Sequence, residues 1–326
     1  MVFSGILFCI GFLVTFLTTP LLARMNRKLG IVGIDAHKTN KRKIPEMCGL
    51  GVTLGLIFSA ILAALFFGLE AKPILALVLC VSTAAAIGVA DDLGPLSSRL
   101  KPVLTTIAAV PIVLLGAYSP YMAIPFLGTT RLTIVYPVLV IIAIPVLANS
   151  INMMNPFNGA MSGTCSMLSL AMITYLLLLG HFSEAILPAA LLGSLLAFHW
   201  YNKYPAKVFS GNAGDLSIGA AIGALTIIGR IEVPMLIAMI PHITNAFYLL
   251  SSVGGLRERR EMPYRPTRLL EDGKLEATED GKAPVTLSRL ILAEGPLREN
   301  EVVNIMIILT TVSSLLGLLT ILFLRR

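Results

Sequence analysis

The chain has 326 residues, 56% hydrophobic and 13% charged, and its 25 Lys and Arg against 18 Asp and Glu give a net charge of +7. A mean hydropathy of +0.84 excludes a soluble globular domain and describes a chain whose solvent is the bilayer. The positive charge then reads as orientation signal and attraction to anionic lipid heads, which argues against a nucleic-acid partner.

A spanning helix needs about 20 apolar residues, and ten stretches approach that length: 2–22, 49–68, 73–90, 102–118, 133–149, 160–180, 184–201, 215–230, 233–252 and 301–324. The expected architecture is all-α, a polytopic membrane protein with ten transmembrane helices in one domain, 1–326. The first stretch does not read as a cleaved signal peptide, because its first positive charge, Arg24, follows the apolar core. With the N-terminus outside, the segments 23–48, 91–101, 150–159, 202–214 and 253–300 face the cytoplasm and hold 20 of the 25 basic residues, as the positive-inside rule requires. Ten crossings return the C-terminus to the outside, although Arg325 and Arg326 sit awkwardly there. Cys9, Cys48, Cys80 and Cys165 lack paired spacing, so neither a disulfide framework nor a zinc site is implied. His181, His199 and His242 are dispersed and suit helix packing or an interfacial position.

Each cytoplasmic segment carries a polar cluster. The first runs Gly33-Ile34-Asp35-Ala36-His37-Lys38 and then Lys41-Arg42-Lys43-Ile44-Pro45-Glu46. A solvated loop that sets topology explains its lysines but not the Gly-Ile-Asp and Pro-Glu framing. In the second, Asp91 and Asp92 end a long apolar run, where charge near lipid is costly and the last turn of a helix disfavours anions. A bound cation would relieve both. The Gly94-Pro95 break lets Lys101 fold back toward these carboxylates, although a simple ion pair needs one carboxylate, not two.

The third cluster, Asn149 to Gly159, places Asn149 and Asn152 one helical turn apart and continues through Asn155 and Asn158; a side-chain carbonyl oxygen of Asn149 or Asn152 suits a hard cation such as Mg²⁺. The fourth, Pro205 to Asp215, has glycines before a helix start, where backbone N–H groups can approach a phosphate or Asp215 can serve as N-cap. The fifth, Arg257 to Arg268, concentrates guanidinium groups suited to phosphate, in competition with plain orientation charge. Acidic and amide oxygens for a metal, cations for phosphates and a glycine turn together suit phosphoryl transfer.

These motifs resemble the polyprenyl-phosphate N-acetylhexosamine-1-phosphate transferases, and within them the dolichyl-phosphate GlcNAc-1-phosphotransferase branch. Gly33 to Glu46, Ala90-Asp91-Asp92 with Arg99 and Lys101, Asn149 to Gly159, and Tyr204 to Gly211 are similar, in order, to four family motifs spread over nearly the whole chain. The resemblance implies ten helices and transfer of GlcNAc-1-phosphate from UDP-GlcNAc to a polyprenyl or dolichyl phosphate, with Mg²⁺, or Mn²⁺ in its place, as cofactor. It implies Asp91, Asp92 and Lys101 as catalytic residues and Asn152, Asn212 and Asp215 as metal ligands. Substrate would meet Lys38, Glu46, Asn149, Asn158, Phe209, Arg259, Arg260 and Arg265, with Phe209 stacking on uracil and Asn158 hydrogen-bonding it. A second copy of the chain is a candidate partner, and the compact 253–300 loop, read as substrate-binding, favours a prokaryotic, archaeal plasma membrane.

The chain departs from the family pattern at two places. Asn212 stands where most members have aspartate, so Asp215 is expected to supply the missing negative charge, and Pro95 stands where a third aspartate is common. The competing readings are a transferase using another UDP-hexosamine, such as the phospho-MurNAc-pentapeptide enzymes, and a nucleotide-sugar or lipid transporter.

Overall fold

A computed structural model describes residues 2–38, 41–125, 127–256, 262 and 264–324. Helices dominate and fall in every one of the ten apolar stretches. They are α1 (Val2–Lys28), α2 (Leu50–Phe66), α3 (Ala71–Leu93), α4 (Leu100–Ile107), α5 (Val110–Leu114), α6 (Val135–Met153), α7 (Ala160–Leu179), α8 (Ile186–Asn202), α9 (Gly211–Gly229), α10 (Glu232–Ala238), α11 (Ile240–Ser252), α12 (Leu287–Ile291) and α13 (Glu299–Leu324). Among the described residues, α1, α3, α6, α7, α9 and α13 are long and apolar enough to cross a membrane, and α10 with α11, bent by 61°, makes a seventh candidate if the pair is one span. The protein is thus a polytopic membrane protein. The remaining stretches form shorter helices: α2 and α8 have 17 residues each, and the stretch 102–118 is divided into α4 and α5 just ahead of Pro111, whose ring cannot donate to the preceding turn.

The all-α expectation needs one amendment, because three two-stranded antiparallel hairpins lie between the helices. They are β1 (Val32–Ile34) with β2 (Lys43–Pro45), β3 (Tyr121–Ile124) with β4 (Gly128–Arg131), and β5 (Thr267–Leu269) with β6 (Leu275–Ala277). The first and third flank the candidate site. Among the described residues of the 253–300 segment, Leu275 and Leu292 pack with Met154 and Phe157 of the asparagine segment and with Val302 and Met306 of α13. Asn245 of α11 joins the same two regions, donating to the Met153 carbonyl at 3.2 Å and accepting from the Leu287 N–H at 2.8 Å.

The central element is α9, buried along most of its length with α3 and α6 packed against it. Small residues permit this, since in lipid helix association rests on close packing rather than on apolar burial. A side chain at Gly88 of α3 would put Cβ 2.5 Å from both the Ala213 Cα and the Asn212 carbonyl oxygen, and one at Gly219 would lie 2.5 Å from the Ala148 Cα of α6. Gly88, Asp91 and Asp92 share one helix face at i, i+3 and i+4, so the glycine contact presents both carboxylates to the start of α9. Gly88→Val is expected to destabilise the purified protein by about 1–3 kcal/mol through overpacking, read as a lower unfolding midpoint in detergent; an unchanged midpoint would show that α3 and α9 do not meet here.

Candidate active site

The two carboxylates at the end of α3 have different partners. Asp91, 3% exposed, pairs through Oδ2 with Lys101 Nζ at 2.7 Å and accepts the Leu96 N–H through Oδ1 at 2.8 Å. The turn after Gly94 therefore does fold Lys101 back. Asp92 instead faces α9: its Oδ1 accepts from the Asn212 backbone N–H at 2.9 Å and from Asn212 Nδ2 at 2.8 Å, and its Oδ2 accepts from the Ala213 N–H at 3.0 Å. The negative end of α3 thus meets the positive end of α9, and the electrostatic problem posed by adjacent acids is met by one ammonium and one helix N-terminus. Gly211 makes room for this. Its φ is +69° and a Cβ would lie 2.6 Å from Asp92 Oδ2.

This arrangement corrects two expectations about the fourth cluster. The N–H groups of Asn212 and Ala213 are engaged by Asp92 rather than left open for a phosphate. Asp215 is not an N-cap either, because α9 begins at Gly211 and carries Asp215 in its interior. Both Asp215 oxygens accept from Asn155 Nδ2, at 3.0 and 2.9 Å, and Asn155 also donates to Ser210 Oγ at 2.9 Å. Asn155 belongs at the centre of the site, yet its sequence position was not singled out. The spacing of three shared by Asn149, Asn152, Asn155 and Asn158 was the available signal.

The Asn212 side chain links the halves of the site. Its Oδ1 accepts from Lys101 Nζ at 2.6 Å and from Asn152 Nδ2 at 2.9 Å. Asn149 turns elsewhere, donating to Thr105 Oγ1 at 3.0 Å and to the Pro145 carbonyl at 2.8 Å. The turn before α9 is held by a short backbone ladder in which Phe209 donates to Pro45, Cys48 to Phe209 and Gly49 to Ser210, at 2.8, 3.0 and 3.1 Å. This places Glu46 beside Asn212. Burial pushes the Cys48 thiol in the ladder up to about 12, so it is a neutral group and no nucleophile.

Two cavities meet at Glu46, Asn152, Asn155 and Asn212. One, about 500 Å³, is lined by Asp91, Asp92, Ser98, Lys101 and Asn149, with Met153, Leu249 and Leu256 as an apolar wall. The other, about 590 Å³, is lined by Asp35, His37, Asn158, Phe209, Asp215 and Arg265. Lys38 does not line either of these cavities; it pairs with Asp35 and lies over the Tyr204 ring. Arg259 and Arg260 lie outside the described residues. His199 and His242 serve packing, bonded to Ser162 and Thr164 respectively.

Among the described residues no group of three His, Cys, Asp or Glu side chains could hold a metal. The donor set at the junction is instead amide oxygens with one or two carboxylates, all hard. That set fits Mg²⁺ of the kind that keeps waters and shares substrate phosphates rather than sitting in an all-protein cage. Asp92 Oδ1 already accepts two hydrogen bonds, whereas Asp92 Oδ2 and both Asp91 oxygens keep a second lone pair beyond the bonds described.

With side-chain exposures of 10% for Lys101 and 2% for Asp91, their ion pair is buried, and loss of either partner leaves an uncompensated charge. Asp91→Asn and Lys101→Met are each expected to destabilise by about 3–5 kcal/mol. The double variant should recover a coupling of about 0.5–3 kcal/mol in thermal unfolding; strict additivity would show that the pair does not form.

Residues 74–230 match the model of glycosyl transferase family 4. A protein of Methanocaldococcus jannaschii provisionally named a glycosyltransferase is 33% identical over 291 residues, 88% of this chain and 87% of its own. One of Saccharolobus solfataricus, provisionally named UDP-N-acetylglucosamine:dolichyl-phosphate N-acetylglucosaminephosphotransferase, is 30% identical over 72% of this chain and 74% of its own. The phospho-N-acetylmuramoyl-pentapeptide-transferase of Nitratiruptor sp. is 29% identical over 79% and 82% of the two chains. With a relative 33% identical over 88% of this chain and the family model matching residues 74–230, the chain belongs to glycosyl transferase family 4.

Proposed function

We propose that this chain transfers N-acetylglucosamine 1-phosphate from UDP-GlcNAc to a polyprenyl or dolichyl phosphate, giving the lipid-linked diphosphate sugar and UMP. The observation that carries the reading is the junction of the two cavities. An aromatic ring and an amide line one, a buried lysine beside apolar side chains lines the other, and Asn152 and Asn212 stand between them, with Lys101 bonded to Asn212. A nucleotide and a lipid phosphate entering from the two sides would bring their phosphates together there.

An oxygen of the lipid phosphate attacks the sugar-bearing phosphorus, a new P–O bond forms, and the bond from that phosphorus to the bridging oxygen breaks with UMP as leaving group. No proton need be removed first, because a phosphate monoester with a second pKa near 6 is largely dianionic at neutral pH. Asp91 then holds Lys101 in place, Asp92 orients Asn212, and Lys101 draws the phosphates together. Mg²⁺, or Mn²⁺, held through Asn152, Asn212 and Asp215, would supply charge neutralisation at the diphosphate. The proposal extends to one transmembrane unit of ten spans with both termini outside, the site on the cytoplasmic side of an archaeal plasma membrane and the 253–300 segment covering the substrates.

The sugar is the open competitor, since relatives with N-acetylmuramoyl-pentapeptide in their names are among those similar to this chain. The relatives named above carry transferase names, which favours a transferase over a transporter. Purified protein is expected to release UMP from UDP-GlcNAc only with both a short polyprenyl phosphate and Mg²⁺, to lose this in Asp92→Asn, and to leave UDP-MurNAc-pentapeptide untouched. Turnover of the latter alone would reassign the sugar, and nucleotide binding without release from either would remove the transferase reading. In Asp215→Asn the Mg²⁺ concentration for half-maximal release should rise about tenfold or more, the loss of one charged ligand being worth about 1.4 kcal/mol or more; an unchanged titration would remove Asp215 from the metal site.

A further inference from the structure

A third hollow, about 540 Å³, lies where the end of α1 meets the loop between α8 and α9, and it shares no lining residue with the two joined cavities. Arg24, Arg27 and Lys28 line it from α1 and Lys207 from the loop, with Ala23 and Tyr201 beside them. All four cations are exposed. Among the described residues none of their side chains has a hydrogen bond or an ion pair, and no acidic side chain lines the hollow.

Two ordinary causes explain part of this. The partial negative charge at the end of α1 favours Arg27 and Lys28 in its last turn, and cations gather on one membrane side in any polytopic protein. Neither brings Lys207 to them. Its backbone N–H donates to the Tyr201 carbonyl at 2.8 Å, and the Tyr201 hydroxyl donates to the Phe16 carbonyl of α1 at 3.2 Å, with the Phe16 and Tyr201 rings 5.3 Å apart. The hollow is therefore held in shape by ties of its own. Like charges stand there at i, i+3 and i+4 on α1, an arrangement that costs stability until an anion joins them.

The setting names the anion. Leu13, Leu17 and Leu21 follow one another at steps of four on α1 and are 57, 56 and 60% exposed, an apolar stripe that runs up to Arg24. Trp200, exposed at the end of α8, is an aromatic of the kind that gathers at the membrane–water interface, and Lys203 lies over its ring at 4.6 Å. A lipid with its chains along the leucines would put its phosphate among the four cations. A soluble anion would use the cations but not the stripe.

We propose that this hollow binds the phosphate headgroup of an anionic bilayer phospholipid, with the acyl chains along Leu13, Leu17 and Leu21, so that the lipid bridges α1 and the loop before α9. Basic pockets between helices at one membrane surface suit such a headgroup. Its residues are not those assigned to the transfer reaction, and the site does not depend on which sugar or acceptor the protein uses.

Trp200 is the only tryptophan of the chain and serves as reporter. Full-length protein in detergent is titrated with phosphatidylglycerol or phosphatidylcholine carrying brominated acyl chains, which quench tryptophan on contact. Phosphatidylglycerol should reach half-quenching at about a fivefold lower mole fraction, the order expected of cations near a lipid phosphate. Arg24→Gln combined with Lys207→Gln should bring that ratio toward one. Lys282→Gln combined with Arg298→Gln removes the same charge from exposed positions elsewhere and should leave the ratio unchanged. Equal quenching by the two lipids in the unaltered protein would overturn the proposal, and so would an equal loss in both double variants, which would reduce the effect to net charge. Glycerol phosphate at millimolar concentration should not displace the lipid; displacement would overturn the proposal in favour of a soluble phosphate.

Discussion

The contact on which the site depends is the Asp92 carboxylate at the N-terminus of α9. Three N–H donors of Asn212 and Ala213 converge on its two oxygens, each a charge-assisted bond of the kind worth roughly 1.5–3 kcal/mol when a partner is lost. It also sets two helix dipoles end to end, with the electron-rich end of α3 against the electron-poor end of α9. The bond can form only because Gly88 and Gly211 leave no side chain in the way. Once α9 is placed, the Asn212 amide is aimed, and with it the point where Lys101 and Asn152 converge.

The other elements reach that point by short, separate ties. The backbone ladder from Pro45 to Gly49 fastens the first polar loop to the turn ahead of α9, Asn155 fastens the α6–α7 connection to Asp215, and Glu299 fastens the last helix to Asn158. Each tie joins segments far apart in the chain, and nearly every polar side chain around the cavities is already committed to a neighbour. Such a site is arranged in advance, which is what phosphoryl transfer asks of a protein when most of the catalysis is positioning and charge.

The Asn212 amide joins a cation to an anion. At Asn212 an amide can accept from Lys101 with its oxygen while donating to Asp92 with its nitrogen; a carboxylate there could not donate, and would face Asp92 as a second anion. Asp215 lies one turn further along α9, with both its oxygens bonded by Asn155.

The helical membrane architecture, the five polar clusters and the family were legible in the chain itself, because lipid demands long apolar runs with internally bonded backbone and because motif order survives in one dimension. The return of Lys101 to the acids was legible too, from the Gly94-Pro95 break. Other features were not legible, each because it depends on a partner distant in sequence. Composition alone does not show that α4 stops after eight residues or that α10 and α11 bend. The start of α9 at Gly211, the division of labour between Asp91 and Asp92, and the membership of Asn155 are set by which helix end faces which. Lys38, read as a substrate contact, pairs with Asp35, which also accepts from Asn158, 123 residues away. Residue types and their local spacing determined which chemical groups this protein has at its disposal; only the packing of α3 and α6 on α9 decided which of them meet, because hydrogen bonds and ion pairs form between surfaces brought together in space and carry no local signature in the chain.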